Sequence, residues 1–115
     1  MTLAALETEL KTFVAEREWQ RFHDPKNLAM AVASEAGELL ALFRWIANAD
    51  ADAAAADPTR RPTIADKLAE VFIALCLFAD RTGIDLIEAA HQKLAKNRVN
   101  YPIETSRGRA DREKT

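Results

Sequence analysis

Two stretches of this sequence are almost free of charge, and they constrain the fold more than any other feature. In residues 28–43 the only charged side chains are Glu35 and Glu38, and in residues 68–79, LAEVFIALCLFA, the only one is Glu70. A helix that is apolar all round has to be buried on most sides. A 115-residue chain is about one domain and cannot hide two such helices well on its own. We therefore predict an all-α four-helix bundle completed by a second copy, as a homodimer or a dimer of dimers.

The helices themselves follow from apolar positions that recur every three or four residues. They are predicted over residues 2–20, 25–46, 62–82 and 85–100. The intervening segment 49–62, ADADAAAADPTRRP, has no apolar stripe and is interpreted as a loop. The predicted domain spans residues 1–102, and the polar residues 103–115 are predicted to form a flexible tail.

Capping signals mark where these helices begin and end. Thr2, Asp24 and Asp85 have side chains that suit an N-cap, and Pro25 suits the first helical position. Gly83 is a natural stop for the third helix.

Composition excludes several classes of protein. One cysteine rules out a disulfide framework and a zinc site built on a cysteine cluster. A net charge of −2 does not indicate the basic surface that is typical of nucleic-acid binding. The apolar stretches are too short and too charged for a membrane span, and the acidic N-terminus does not resemble a secretory signal. The expected location is the cytoplasm.

The three glutamates within the apolar stretches are the strongest sign of chemistry. Glu35 and Glu38 are three residues apart and share a helical face, and Glu70 lies in the other apolar helix. Buried carboxylates are normally paired or bound to metal. An all-oxygen site of this kind suits Mg²⁺, with Mn²⁺ as an alternative. The competing interpretation places the same acids at helix edges, in water or paired with Arg44 or Lys67.

Three blocks of sequence resemble one family. Residues 13–45, FVAEREWQRFHDPKNLAMAVASEAGELLALFRW, are similar to the MazG-like all-α nucleoside triphosphate pyrophosphohydrolases, and most similar to their dCTP pyrophosphatase branch. Residues 64–86, IADKLAEVFIALCLFADRTGIDL, and residues 93–102, KLAKNRVNYP, fit the same family in the same order.

This resemblance implies Mg²⁺-dependent cleavage between the α- and β-phosphates of a nucleoside triphosphate, giving the monophosphate and pyrophosphate. The family's metal ligands lie in an E-x-x-E motif, here Glu35 and Glu38, and in an E-x-x-D motif that falls here at Lys67 and Glu70. Glu35 or Glu38 is then expected to orient the attacking water. The preferred base implied by the resemblance is a pyrimidine, as in dCTP.

The resemblance also implies a set of substrate-binding residues. A base pocket and contacts to phosphate and sugar are expected from Trp19, Phe22, His23, Lys26, Asn27, Trp45, Lys93, Asn97 and Tyr101. Aromatic rings can stack a nucleobase, although the same rings can be ordinary core residues. A lysine on a helix is usually solvated, and a terminal tyrosine can simply pack on its helix.

The sequence departs from the family pattern at several positions. Lys67 puts a cation where a ligand is expected, and Ala74 and Asn100 replace a tyrosine and a basic residue. We predict that Lys67 pairs with one of the three glutamates, that at most one Mg²⁺ binds tightly, and that hydrolysis of family substrates is weak. Alternatively, Asp66 takes over as the ligand.

Two other functions remain open at this point. The chain could bind a nucleotide without cleaving it efficiently, with Lys67 supplying the charge of a second metal. A di-iron carboxylate bundle requires two Glu-x-x-His motifs, of which Glu88 and His91 provide one.

Overall fold

The computed structural model describes residues 1–109, and every regular element in that range is helical. The α-helices are α1 (Leu3–Glu16), α2 (Pro25–Ala41), α3 (Ala51–Ala56), α4 (Arg61–Thr82), α5 (Leu86–Asn100) and α6 (Ile103–Ser106). Short 3-10 turns occupy Gln20–Phe22 and Asn48–Asp50. The predicted all-α class is confirmed, and the predicted long helices are α1, α2, α4 and α5.

The predicted caps bound these helices. The side chains of Thr2, Asp24 and Asp85 each accept a hydrogen bond from the backbone N–H three residues later, at 3.0–3.1 Å. Such a bond satisfies an N–H group that has no partner inside the helix. Gly83 ends α4 in the left-handed region, with φ of 70°, which a residue without Cβ adopts at little cost.

Two predicted helix ends are wrong by about one turn. The first helix ends at Glu16 rather than 20, because Glu18 turns the chain with a φ of 54° and a 3-10 turn follows. The second ends at Ala41 rather than 46, and its C-cap Leu42 begins a series of turns. Neither end carries a glycine or proline that would have marked it.

The predicted loop and the predicted tail both contain helix. Residues 51–56, within the predicted loop, form α3, since a run of alanines favours helix even without an apolar stripe. The predicted tail begins with the short helix α6, and its residues 110–115 lie outside the described range.

The chain divides into two compact units, Met1–Gly83 and the part from Ile84 onward. In the first unit α2 packs along α4, while α1 and α3 contact α4 less extensively. Its buried apolar side chains are small in number: Val14, Leu28, Ala74, Cys76 and Ala79. The second unit contains α5 and α6. The single domain over residues 1–102 stays a prediction.

The apolar helices carry large side chains that remain exposed in this chain. Met30 and Leu40 on α2 and Leu68 and Phe72 on α4 are exposed, with Leu40 at 64%. This exposure agrees with the prediction that one chain cannot cover both apolar helices on its own. The predicted second copy stays a prediction. Within residues 1–109, no helix has the combination of length and apolar character that crossing a bilayer requires.

Candidate functional site

An ion pair links the two apolar helices where their acidic residues lie. Lys67 Nζ on α4 is 2.9 Å from Glu38 Oε2 on α2, so the ammonium donates a hydrogen bond as well as a charge. The Lys67 side chain is 33% exposed and that of Glu38 50%. Lys67, expected from the sequence to pair with one of the three glutamates, therefore pairs with Glu38.

Glu35 is the acid of this cluster with the least favourable surroundings. Its Oε2 atom is buried and has no hydrogen-bond partner among the described residues. Desolvation raises the pKa of Glu35, and the neighbouring carboxylates of Glu38 and Glu70 raise it further, while Lys67 lowers it. A cation at this atom would relieve both effects.

The pKa values of the two ion-paired members of the cluster, Glu38 and Lys67, shift in opposite directions. The hydrogen bond from Lys67 lowers the pKa of Glu38, with a smaller contribution from Glu35. The same bond raises the pKa of Lys67. Each partner thus favours the charged form of the other, and the pair remains ionised near neutral pH.

A cavity of about 500 Å³ opens beside this cluster, and we call it the acidic cavity. Glu35 on α2 and Glu70 on α4 line it, together with small and apolar side chains of both helices. The wall on the third side comes from the segment between α1 and α2. The full lining is Phe22, His23, Asn27, Leu28, Met30, Ala31, Ser34, Glu35, Glu70, Ile73, Ala74 and Leu77.

A second cavity, of about 580 Å³, lies between α1 and α4 and is mostly apolar. We call it the apolar cavity; its lining is Leu6, Glu9, Leu10, Phe13, Val14, Trp19, His23, Glu70, Ile73 and Leu77. His23, Glu70, Ile73 and Leu77 belong to both cavities, so the apolar surface borders the acidic one. A ligand with a flat apolar part and an anionic part that carries a bound cation would match this pairing in chemistry, because the cation separates the anion from the carboxylates.

Trp19 is held at the apolar cavity by a neighbouring ring. Its ring centroid is 5.6 Å from that of Phe13, edge to face, at an interplanar angle of 77°. The Arg17 guanidinium covers Phe13 at 3.7 Å from the ring centroid. Trp19 is still 42% exposed, which leaves ring surface for a ligand.

The predicted substrate-binding residues are distributed unevenly. Phe22, His23 and Asn27 line the acidic cavity, and Trp19 lines the apolar one. Lys26 is exposed on the first turn of α2 and lines neither.

Trp45 stands apart from the cavities. It is 87% exposed, with the Arg44 guanidinium 5.4 Å from its ring centroid. In the second unit, Lys93 and Asn97 are one turn apart on α5 and Tyr101 is its C-cap. Their predicted contacts to phosphate and sugar stay predictions.

Ala74, which departs from the family pattern, and Asp66, the alternative ligand, lie in different surroundings. Ala74 is buried and lines the acidic cavity one turn after Glu70. Asp66 is exposed and lines neither cavity. Its role as a replacement ligand stays a prediction.

Sequence reasoning missed part of the cavity walls. Phe13, Ile73 and Leu77 were interpreted only as apolar helix positions, and Ser34 was not singled out. Their spacing in the sequence does not distinguish residues of a cavity wall from residues of a core, since residues of either kind lie on the apolar face of a helix.

The donor set fits a magnesium ion that shares its coordination with a ligand. Glu35 and Glu70 line one cavity, and the buried Oε2 of Glu35 offers an unused oxygen. Mg²⁺ is often held by one or two carboxylates plus waters and substrate phosphates. Residues 1–109 contain no group of three or more His, Cys, Asp or Glu side chains placed to hold a metal. Among the described residues, the carboxylates thus do not enclose a metal position. Glu38 as a further ligand stays a prediction, and its Oε2 already accepts a hydrogen bond from Lys67.

The fold matches that of a solved pyrophosphatase. The crystal structure of a pyrophosphatase from Archaeoglobus fulgidus is 32% identical and superposes with a TM-score of 0.82, covering 87% of this chain and 92% of its own. A model of the MazG-like family matches residues 30–114. The chain belongs to the MazG-like family.

Curated relatives carry a more specific name. Rat dCTP pyrophosphatase 1 is 41% identical over 98 residues, and the human protein of that name is 37% identical over 95 residues. These alignments cover 85% and 83% of this chain, but only 58% and 56% of the relatives. The chain thus spans little more than half the length of the curated relatives it matches.

Proposed function

We propose that this chain is a nucleotide pyrophosphohydrolase that converts a nucleoside or deoxynucleoside triphosphate, with a pyrimidine such as dCTP preferred, into the monophosphate and pyrophosphate. The observation that carries the proposal is the acidic cavity bordered by the apolar cavity, within a MazG-like fold. Relatives named dCTP pyrophosphatase 1 support the pyrimidine preference.

The two cavities divide the proposed substrate between them. Trp19 offers a ring face for the base, and base–aromatic stacking is commonly worth about 1–3 kcal/mol. The triphosphate would lie toward Glu35 and Glu70. These carboxylates would hold Mg²⁺, which would neutralise charge on the phosphate oxygens. His23 and Asn27 line the path between the two ends and provide polar contacts.

The chemistry required of the protein is the activation of water. Glu35 or Glu38 accepts a proton from a water molecule whose oxygen bonds to the α-phosphorus, and the bond from that phosphorus to the bridging oxygen breaks. Pyrophosphate leaves with the electron pair. Glu35 lines the acidic cavity, the space in which the attacking water would lie.

A homodimer or homotetramer belongs to this proposal. The exposed apolar side chains of α2 and α4, including Met30, Leu40, Leu68 and Phe72, resemble the half of a core that an obligate interface supplies. Apolar patches of this kind are unusual on a free monomer.

One observation favours a second function, that of a nucleotide-binding protein with weak hydrolysis. The Lys67 ammonium is bonded to Glu38 at 2.9 Å and brings a fixed positive charge into the acidic cluster. A cation already in place reduces the need for metal and repels it electrostatically, so the triphosphate could be held while the attacking water is poorly activated.

A nucleotide panel separates these functions. Each nucleoside triphosphate is incubated with the protein and Mg²⁺ or EDTA, pyrophosphate release is followed, and binding of a non-hydrolysable analogue is measured by titration calorimetry. Release that requires Mg²⁺ and is fastest with dCTP supports the first function. Binding with little or no release supports the second, and absence of both contradicts both.

A further inference from the structure

Residues 17–24 form an irregular segment between α1 and α2, which we call the α1–α2 connection. Its side chains form one wall of each of the two cavities. Trp19 and His23 line the apolar cavity, and Phe22 and His23 line the acidic one. Irregular segments are held less firmly than helices. The shape of both cavities therefore depends on what fixes the conformation of this connection.

The connection contains a backbone conformation that is costly for its residue. Glu18 has a φ of 54°, in the left-handed region that favours glycine. Such a residue persists only where surrounding contacts determine its conformation. Two of these contacts are local: the Trp19 N–H donates to the Val14 carbonyl, and the Asn27 side-chain amide donates to the Phe22 carbonyl, each at 3.1 Å.

A third contact comes from far along the chain. Arg81 Nη1, near the end of α4, donates a hydrogen bond of 3.0 Å to the backbone carbonyl of Gln20, 61 residues earlier. Gln20 begins the 3-10 turn that ends at Phe22. The same helix α4 carries Glu70 and Leu77, which form the opposite wall of the cavities. The bond thus fixes the aromatic wall relative to the wall that bears the acid.

Arg81 itself does not face either ligand cavity. It lines a third cavity, of about 310 Å³, which shares His23 and Leu77 with the acidic and apolar cavities. A ligand in the acidic or apolar cavity would therefore meet the residues of the connection and not the guanidinium. Any influence of Arg81 on ligand binding acts through the backbone of Gln20.

We propose that Arg81 is a positioning residue for nucleotide binding, which holds the α1–α2 connection so that Trp19 and His23 face the ligand. This inference rests on the proposed function for the identity of the ligand, but the positioning itself is a property of the ligand-free protein. Removing the guanidinium leaves the Gln20 carbonyl with the local bond from the His23 N–H, at 3.1 Å, and without its tie to α4. The strained turn at Glu18 then relaxes and moves the Trp19 ring.

The neighbouring ion pair supplies a matched control. Lys11 on α1 and Asp80 on α4 are joined at 3.3 Å, and both side chains are largely solvent-exposed. This pair joins α1 to α4 next to Arg81, whereas the Arg81 bond joins α4 to the connection. Lys11→Met removes the ion pair between α1 and α4 and retains the hydrogen bond from Arg81 to the connection. Arg81→Met removes that hydrogen bond and retains the ion pair.

The first test uses Trp19 as a reporter without any ligand. The chain has two tryptophans, so Trp45→Phe leaves Trp19 as the single one. In that background we expect Arg81→Met to raise acrylamide quenching of Trp19 about twofold, because the connection opens more often. Arg81→Lys, which retains a donor, should restore part of the protection, and Lys11→Met should leave quenching unchanged. Unchanged quenching in Arg81→Met, or an equal rise in Lys11→Met, overturns the proposal.

The second test measures the ligand with Trp45 intact. We expect Arg81→Met to weaken binding of a non-hydrolysable nucleoside triphosphate about tenfold and to raise KM with little change in kcat, since misplaced binding groups reduce affinity before chemistry. An unchanged affinity and KM in Arg81→Met overturns the proposal. If no variant and not even the wild type binds a nucleotide, the proposed function fails, while the quenching experiment still decides whether Arg81 holds the connection.

Discussion

Replacing Trp19 by alanine tests the nucleotide site at its most accessible point. The ring lines the apolar cavity and packs edge to face on Phe13, with 42% of the residue surface still exposed. The substitution removes two interactions that can be measured separately. One is the internal contact with Phe13, and the other is the stacking surface offered to the base.

The two losses have different sizes. An edge-to-face aromatic pair contributes about 0.5–1.5 kcal/mol in addition to the apolar area it buries, so the free energy of unfolding should fall by at least that amount. Stacking of a base on an aromatic ring contributes about 1–3 kcal/mol, which corresponds to an increase of about 5- to 150-fold in the dissociation constant. The chain should therefore remain folded while its affinity drops clearly.

Titration calorimetry with a non-hydrolysable triphosphate measures the affinity, and circular dichroism confirms the helices. Trp45→Ala is the comparison, since that ring is 87% exposed and lines neither cavity. An equal loss of affinity in Trp45→Ala would mean that this ring acts from a second copy of the chain. An unchanged dissociation constant in a folded Trp19→Ala protein would refute the assignment of this ring to the site.

Three further predictions concern the acidic cluster and the end of α4. Glu38→Gln should abolish Mg²⁺-dependent pyrophosphate release with unchanged helicity, and an active, folded variant would contradict its assigned role. Lys67→Glu should raise both Mg²⁺ affinity, measured by calorimetry, and the rate of hydrolysis; if Asp66→Asn changes activity and Lys67→Glu does not, Asp66 is the ligand. Gly83→Ala should lower the free energy of unfolding by about 1 kcal/mol in chemical denaturation, because φ is 70° there; unaltered stability would show that the turn readjusts.

The fold was predictable wherever a local signal marked an element. Asp24 with Pro25, Asp85 and Gly83 set helix ends that agree with the structure, because each has a side chain or backbone suited to that position. The end of α1 was not predictable, since Glu18 adopts a left-handed conformation that its residue type does not favour. Local propensity cannot report a conformation that distant contacts impose.

The site was predictable in part for the same reason. The ion pair of Lys67 with Glu38 could be expected, because Glu38 lies in an apolar stretch and Lys67 stands where the family pattern has a metal ligand. The bond from Arg81 to the Gln20 carbonyl could not be expected, because every residue has a backbone carbonyl and the sequence does not indicate which one a distant side chain contacts. Only the tertiary structure shows which of many arginines reaches it.

The separation of the aromatic wall from the acidic cluster has a consequence for how such proteins diversify. The ring of Trp19 and the imidazole of His23 stand on a connection between helices, whereas Glu35 and Glu70 stand on the helices themselves. Connections tolerate substitution and changes of length better than packed helices do. Changes in the connection would therefore alter the aromatic wall while leaving the helices that carry Glu35 and Glu70 unchanged.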